Sequence, residues 1–377
     1  MRILLGLLLV GALVAPTTAA SAVPSPRAKP ALTVTTIASG LDHPWDVRPL
    51  PDGRLLYTQR DRRTLSVWSD GVSRRIAFPS RRIWHRVETG LLGLAIDPGF
   101  ATNHRIYTCN GWKKVGGGHD IRVMAWTLDA GLTRATKAGT LVTGMPTGNG
   151  RHGGCRLLIA TDGSMLVGTG DAQHGKVPEN KRSLGGKTLR LDPETGAPWP
   201  TNPFVHAANK HKRYVETYGH RNVQGLAQRA DGTLWSIEQG TDRDDEVNLL
   251  RNGGDYGYDP VPGYNESVPM TDHRLPGRQI SARWRSGYPT LATSGGTFVP
   301  ASGWGRLDGT LAVACLKASR MIFLRFDARG RLVTTYTPKA LRHDGRLRTA
   351  VVDNDGSLLV TTDNGGGRDV ILRVRPR

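Results

Sequence analysis

Asp162-Gly163-Ser164-Met165-Leu166-Val167 is a turn followed by an apolar strand, and the chain repeats the phrase. Copies stand at Asp52-Gly53-Arg54-Leu55-Leu56-Tyr57, Asp231-Gly232-Thr233-Leu234-Trp235, Asp308-Gly309-Thr310-Leu311-Ala312-Val313 and Asp355-Gly356-Ser357-Leu358-Leu359-Val360. A looser copy, Asp97-Pro98-Gly99-Phe100, leads into Arg105-Ile106-Tyr107-Thr108. Asp-Gly between apolar runs signals a hairpin whose two turn residues both take positive φ. Most copies have a second apolar run upstream, such as Trp45-Asp46-Val47, Arg156-Leu157-Leu158-Ile159 or Thr349-Ala350-Val351-Val352. The turns fall at 52, 97, 162, 231, 308 and 355, so one hairpin recurs every 45 to 77 residues. Helical periodicity is nearly absent. That pattern predicts an all-β chain built as a six-bladed β-propeller with large loops. A strand from each terminus is available to close the ring. Two separate β-sandwiches are the alternative, but no Pro/Gly/Ser-rich linker divides the chain.

Composition agrees. The 377 residues include 47 Gly and 23 Pro, without the three-residue period of collagen, and 38% are hydrophobic, enough for a packed core. The formal net charge is +19. The basic residues are spread along the whole chain and do not interleave with aromatics in one strip, which argues against nucleic acid and for solubility or adhesion to acidic envelope polymers. Residues 1–22 have a charged start, a 13-residue apolar run and a small-residue cleavage zone, the pattern of a signal peptide. The run is too short for a stable membrane span. Residues 23–32 read as a flexible lead-in, and 33–377 as one propeller domain in a secreted or periplasmic protein. Of three cysteines, Cys109 and Cys155 sit near strand segments; a disulfide between them and three buried, unpaired thiols are both open.

In a propeller the polar residues before the innermost strands converge on the channel mouth. Arg151-His152-Gly153-Gly154 offers a histidine there, either a general base or a turn cap. Glu216 to Leu226 is dense in donors, with Arg221 and Asn222 suited to carbonyls and carboxylates, or to an inter-blade ion pair. Glu238 to Asn248 packs five acids into 11 residues, either oxygen ligands for Ca²⁺ or a solvated loop. Lys317, Arg346 and Arg348 precede or begin later strands.

These segments, in order, are Arg-His-Gly-Gly (151–154), Gly-His-Arg-Asn-x-Gln-Gly-Leu (219–226) and Glu-Gln-Gly-x-x-x-Asp-Asp-Glu-x-Asn-Leu (238–249). Gly-Gly-x-Tyr-Gly (253–257), Leu-Lys (316–317) and Arg-x-Arg (346–348) follow. The set resembles the soluble quinoprotein glucose/aldose sugar dehydrogenase family, which uses pyrroloquinoline quinone (PQQ), from about Leu41 to Val374. The resemblance implies four-stranded antiparallel blades with PQQ and Ca²⁺ at the mouth, an aldose substrate oxidised to its lactone, and an external electron acceptor. By position, His152 matches the catalytic base, and Arg221 and Asn222 the pair beside the quinone carbonyl. Lys317, Arg346 and Arg348 match the cations that hold the PQQ carboxylates, and Thr290 another cofactor contact. Gly240 and Thr241 match the two residues whose main-chain carbonyls ligate the cofactor's Ca²⁺. Glu246, Tyr256, Pro262 and Tyr264 fall where the glucose-dehydrogenase branch binds further structural Ca²⁺. Three positions depart from the family pattern: Arg151 replaces an acid, Thr241 a proline, and Glu88 stands near a common pocket glutamine. A calcium-dependent propeller lactonase and a non-enzymatic glycan-binding propeller are the rival readings.

Overall fold

The computed structural model describes residues 31–377. The expected signal peptide and most of the lead-in lie outside the described residues. The chain forms six four-stranded antiparallel sheets, the expected six-bladed propeller. The six innermost strands are Pro44–Pro49, Leu91–Ile96, Gly154–Ile159, Val223–Gln228, Thr293–Phe298 and Leu347–Val352. Five blades are continuous in sequence. The sixth takes its outermost strand, Leu32–Leu41, from the other end of the described chain; it pairs antiparallel with Asp369–Pro376 and closes the ring. Among the described residues the one α-helix is four residues long, Phe100–Asn103, in the loose sixth copy of the repeat. No helix there is long and apolar enough to cross a membrane.

Each repeated turn joins the first and second strands of its blade, away from the mouth. The turn type differs from the sequence expectation. Gly53, Gly163, Gly232, Gly309 and Gly356 have positive φ, but none of the preceding aspartates does. Four of those aspartates take in the backbone N–H two residues on: Asp52 from Arg54, Asp162 from Ser164, Asp231 from Thr233 and Asp355 from Ser357. In the same four turns the Gly N–H bonds the carbonyl three residues back, for example Gly163 to Ala160 at 2.9 Å. This is a three-residue type I turn with a left-handed glycine, stapled by the aspartate, so only glycine needs positive φ. In the fifth copy Asp308 instead accepts the N–H of Trp304.

The innermost strands carry the device that shapes the mouth. In all six, the register with the neighbouring strand slips by one residue at its first turn of pairing: between Pro44 and Asp46, Leu91 and Leu94, Gly154 and Arg156, Val223 and Gly225, Thr293 and Gly296, and Leu347 and Thr349. Each slip is a bulge with one unpaired extra residue, which re-aims its side chain. Trp45, Cys155, Gln224 and Arg348 occupy four of them. Close inter-blade packing needs a glycine at two others: a Cβ on Gly93 would lie 2.2 Å from the Cys155 carbonyl oxygen, and one on Gly295 2.9 Å from Arg156.

Apolar side chains fill the spaces between adjacent blades, with Trp45, Trp126, Trp235, Tyr107 and Phe323 almost wholly buried. Cys109 and Cys155 form a disulfide between the second and third blades, and Cys315 is a buried free thiol. The bridge closes a loop of 46 residues. Removing it in Cys109→Ala/Cys155→Ala is expected to lower the free energy of unfolding by about 2–5 kcal/mol. Urea denaturation checks this; equal midpoints and slopes for both proteins would contradict it.

Candidate active site

At the mouth, where the innermost strands begin, lies a cavity of about 330 Å³, within the range of small-molecule sites. Three of its walls come from bulge residues: Trp45, Gln224 and Arg348. A larger groove of about 590 Å³ lies by Arg251, Arg278 and Arg283, next to the outermost strand of the fourth blade. Only the smaller cavity gathers residues from the starts of several blades, and it is the one treated as the site.

His152 has a left-handed backbone, φ 51°, and is almost wholly buried. Its Nδ1 lies 2.8 Å from Oδ1 of Asp171, a fully buried carboxylate just past the strand Met165–Thr169. With Nδ1–H donating to that carboxylate, Nε2 keeps its lone pair, the form a general base needs. Tyr264 donates to Asp171 Oδ2 at 2.8 Å and stands 3.1 Å from His152 Nδ1. Burial and Asp171 push the Tyr264 hydroxyl well above its usual pKa, so it stays a donor. The His152 N–H donates to Glu88 Oε2 at 2.9 Å, and Glu88 lines the cavity. A Cβ on Gly170 would lie 1.9 Å from the His152 carbonyl oxygen, so only glycine admits this loop.

Arg221 lies beside this group. Its carbonyl accepts the Asp171 N–H at 2.9 Å, and its own N–H donates to Glu238 at 2.9 Å. Its guanidinium reaches the Gln239 carbonyl at 3.2 Å and pairs with Glu266. Asn222 is fully buried; its amide accepts the Gly154 N–H and donates to Gln239, both at 3.2 Å. Thus His152, Arg221 and Tyr264 converge on Asp171, with Asn222 next in sequence to Arg221. None of these five lines the cavity itself; His152 joins it through Glu88 and Asn222 through Gln239.

Of the expected carboxylate-holding cations, Arg346 and Arg348 line the cavity. Arg348 is buried, donates to Gln224 Oε1 at 2.9 Å and pairs with Asp363, and its Nε has no partner. Lys317 is exposed, directly after the cavity residue Leu316. Thr290 is buried, its N–H bonded to the Asp242 carbonyl at 3.1 Å. The Gly240 N–H is held by Asp245 at 3.0 Å, and among the described residues neither the Gly240 nor the Thr241 carbonyl accepts a protein hydrogen bond. Both are therefore free to ligate a hard cation.

The residues expected at further Ca²⁺ sites divide. Glu246 faces Glu238 across paired strands, with Thr271 donating to it at 3.2 Å. Burial and the facing Glu238 hold Glu246 well above the ordinary carboxylate range. The Tyr256 hydroxyl donates to the Leu249 carbonyl at 2.7 Å, Pro262 is exposed, and the Tyr264 hydroxyl serves Asp171. Among the described residues no three His, Cys, Asp or Glu side chains are grouped to hold a metal. Arg151 is exposed, and among the described residues it makes no ion pair within 4 Å.

Sequence reading missed Asp171, although Thr169-Gly170-Asp171 ends a strand that it had identified. It also missed His43, Arg60 and Asp363, which line the cavity. His43 Nδ1 bonds Asp363 Oδ1 at 2.5 Å.

A buried His–Asp pair next to a cavity lined by arginines at a propeller mouth is the setting in which the comparisons with known proteins place an oxidoreductase. The chain belongs to the glucose/sorbosone dehydrogenase family, which it matches over residues 41–373. It is 27% identical to the aldose sugar dehydrogenase of Escherichia coli K12 over 91% of this chain and 93% of that protein. It is 29% identical to quinoprotein glucose dehydrogenase B of Acinetobacter calcoaceticus over 61% of this chain and 53% of that protein. The PQQ-bound aldose sugar dehydrogenase of Streptomyces coelicolor superposes with a TM-score of 0.77 at 27% identity, covering 93% of this chain and all of that one.

The hydrogen bond that His43 donates to Asp363 raises its pKa above 6.5, against burial and Arg60, which lower it. A raised histidine contributes stability that is complete below its unfolded value and is lost as pH climbs through the folded one. The stability gap between the parent and His43→Gln should therefore shrink as pH rises past 6.5. Urea denaturation at stepped pH reads this, and a constant gap would contradict it.

Proposed function

We propose that the chain is an exported PQQ- and Ca²⁺-dependent dehydrogenase that oxidises the anomeric carbon of an aldose to the aldonolactone. The observation that carries the reading is the pairing of His152 with Asp171 next to Glu88, which lines a mouth cavity together with Arg346 and Arg348. The residues suit a planar polyanion: the cavity has the volume of a small-molecule site, and the buried Arg348 Nε has no protein partner. Arg346 and Arg348, with Lys317 at the rim, would hold carboxylates; Asn222 and Thr290 would complete the cofactor's surroundings. The free carbonyls of Gly240 and Thr241 would hold the Ca²⁺ ion. Glu246, Tyr256, Pro262 and Tyr264 would be the residues at any further, structural Ca²⁺ site.

When bound, PQQ supplies the electrophilic quinone carbon that takes two electrons as hydride. The protein's part is acid–base and electrostatic. Nε2 of His152 takes the proton of the anomeric hydroxyl as C1 gives up its hydride, and Asp171 stabilises the resulting imidazolium. The Arg221 guanidinium stabilises negative charge developing on the accepting oxygen. Tyr264 fixes Asp171, and Glu88 fixes the His152 main chain, so the base enters the cycle already oriented.

Export is supported by the pattern of residues 1–22 and by the Cys109–Cys155 disulfide, a bond favoured outside the reducing cytoplasm. The charge of +19 suits adhesion to acidic envelope polymers.

The apo protein given PQQ and Ca²⁺ should reduce an artificial dye only when an aldose is present. Lactone hydrolysis without PQQ, or glycan retention with neither activity, would replace the reading. His152→Gln should cut turnover by roughly 10²–10⁴-fold while PQQ affinity stays at the parent value. Equal turnover would remove His152 from the chemistry.

A further inference from the structure

Arg60 follows the strand Leu55–Gln59 at the mouth and lines the cavity. Its side chain is only 9% exposed. Its Nε donates to Asp61 at 2.6 Å, while Nη1 stands 3.8 Å from Asp363, beyond hydrogen bonding. Asp363 is already engaged by Arg348 and His43. Among the described residues, neither Nη1 nor Nη2 of Arg60 has a hydrogen bond to protein. Both atoms stay open to the cavity, and a guanidinium edge of parallel N–H groups matches a carboxylate.

The fold makes room for this side chain. The Arg60 N–H is fixed to the His43 carbonyl at 3.0 Å. A Cβ on Gly90 would lie 2.5 Å from the Arg60 carbonyl oxygen and 2.9 Å from its Cγ, so glycine there clears the path into the cavity. Asp61 neutralises the Nε side and leaves the outer edge of the guanidinium facing the cavity. Glu88 also lines the cavity and is close enough to act on the Arg60 charge, so an anionic ligand there needs the cations to outweigh it.

We propose that Arg60 binds a carboxylate of the molecule that fills the mouth cavity, as a cation additional to Lys317, Arg346 and Arg348. The inference rests on the function proposed above. The carboxylate belongs either to the cofactor or to an acidic sugar, and the experiment separates the two.

Arg60→Gln and Arg60→Lys are compared with the parent by PQQ fluorescence titration, and by kinetics on a neutral aldose and on a uronic acid at saturating PQQ. Loss of a buried charged contact should weaken PQQ binding by about tenfold or more in Arg60→Gln. Lysine keeps the charge without the fork and should lose about threefold; the KM for the neutral aldose should hold. If PQQ affinity is kept but kcat/KM for the uronic acid falls about tenfold relative to the neutral aldose, the bound carboxylate is the sugar's. Unchanged affinity together with an unchanged acid-to-neutral ratio overturns the proposal. Calorimetry with benzene-1,3,5-tricarboxylate, which needs no turnover, keeps the two readings separable. A parent that binds this probe and loses it in Arg60→Gln supports Arg60 even if PQQ gives no activity, and equal binding by parent and variant counts against it. Should Arg60→Gln fail to fold, Arg60→Lys alone decides, and an affinity equal to the parent's overturns the assignment.

Discussion

A single extra residue near the mouth end of every innermost strand is the constraint on which the site depends. A regular strand would alternate its side chains between the two faces of its blade. The bulge breaks that alternation once, near the same end in all six blades, and three of the displaced side chains, Trp45, Gln224 and Arg348, line the mouth cavity, while Cys155 turns to its disulfide. Gln224 and Arg348 arrive this way and are bonded to each other. Below them, Arg156 stacks on Trp45 at 4.0 Å, bonds the Gln224 carbonyl at 2.8 Å and pairs with Asp46 at 3.0 Å. Buried charges persist only when they are paired and hydrogen-bonded, so Asp46 and Asp363 are as necessary to the channel as the arginines.

That pairing fixes what remains open. Arg348 and Arg156 spend most of their donors on protein, while the outer edge of Arg60 and the Lys317 side chain do not. Beside the cavity His152, Asp171 and Tyr264 form a closed set of hydrogen bonds that leaves the imidazole Nε2 unspent. One basic nitrogen and several cationic donors thus stand near one another, the division of labour that the proposed hydride transfer would use.

The fold was legible because the turn between the first and second strands of a blade is chemically demanding. A left-handed residue after a type I turn favours glycine, and the aspartate before it staples the turn, so the dipeptide recurs. The outer strands left no such trace: Val72–Arg75 is wholly exposed and Leu332–Tyr336 nearly so, and neither alternates apolar with polar. The four strands of each blade therefore came from the family resemblance and not from periodicity. Within the site, His152, Arg221, Asn222, Arg346 and Arg348 stood in motifs that could be read in order. Asp171 and Arg60 did not, since each is one charged residue just past the end of a strand, and what marks it is a partner distant in sequence. Asp171 is identified by His152 nineteen residues earlier, and Arg60 by the space left at Gly90. The positive φ assigned to the turn aspartates was wrong because a side-chain hydrogen bond does what the mirror-image turn would have done. The bond from the Tyr264 hydroxyl to Asp171 left no trace in the sequence either, its partner lying 93 residues earlier.

The most direct test of the central claim is a crystal structure of the protein loaded with PQQ and Ca²⁺. The account places the quinone between Nε2 of His152 and the Arg346–Arg348 wall, with the ion on the Gly240 and Thr241 carbonyls. Density for the cofactor elsewhere, such as the groove beside Arg251 and Arg283, with the mouth holding only water, would contradict it.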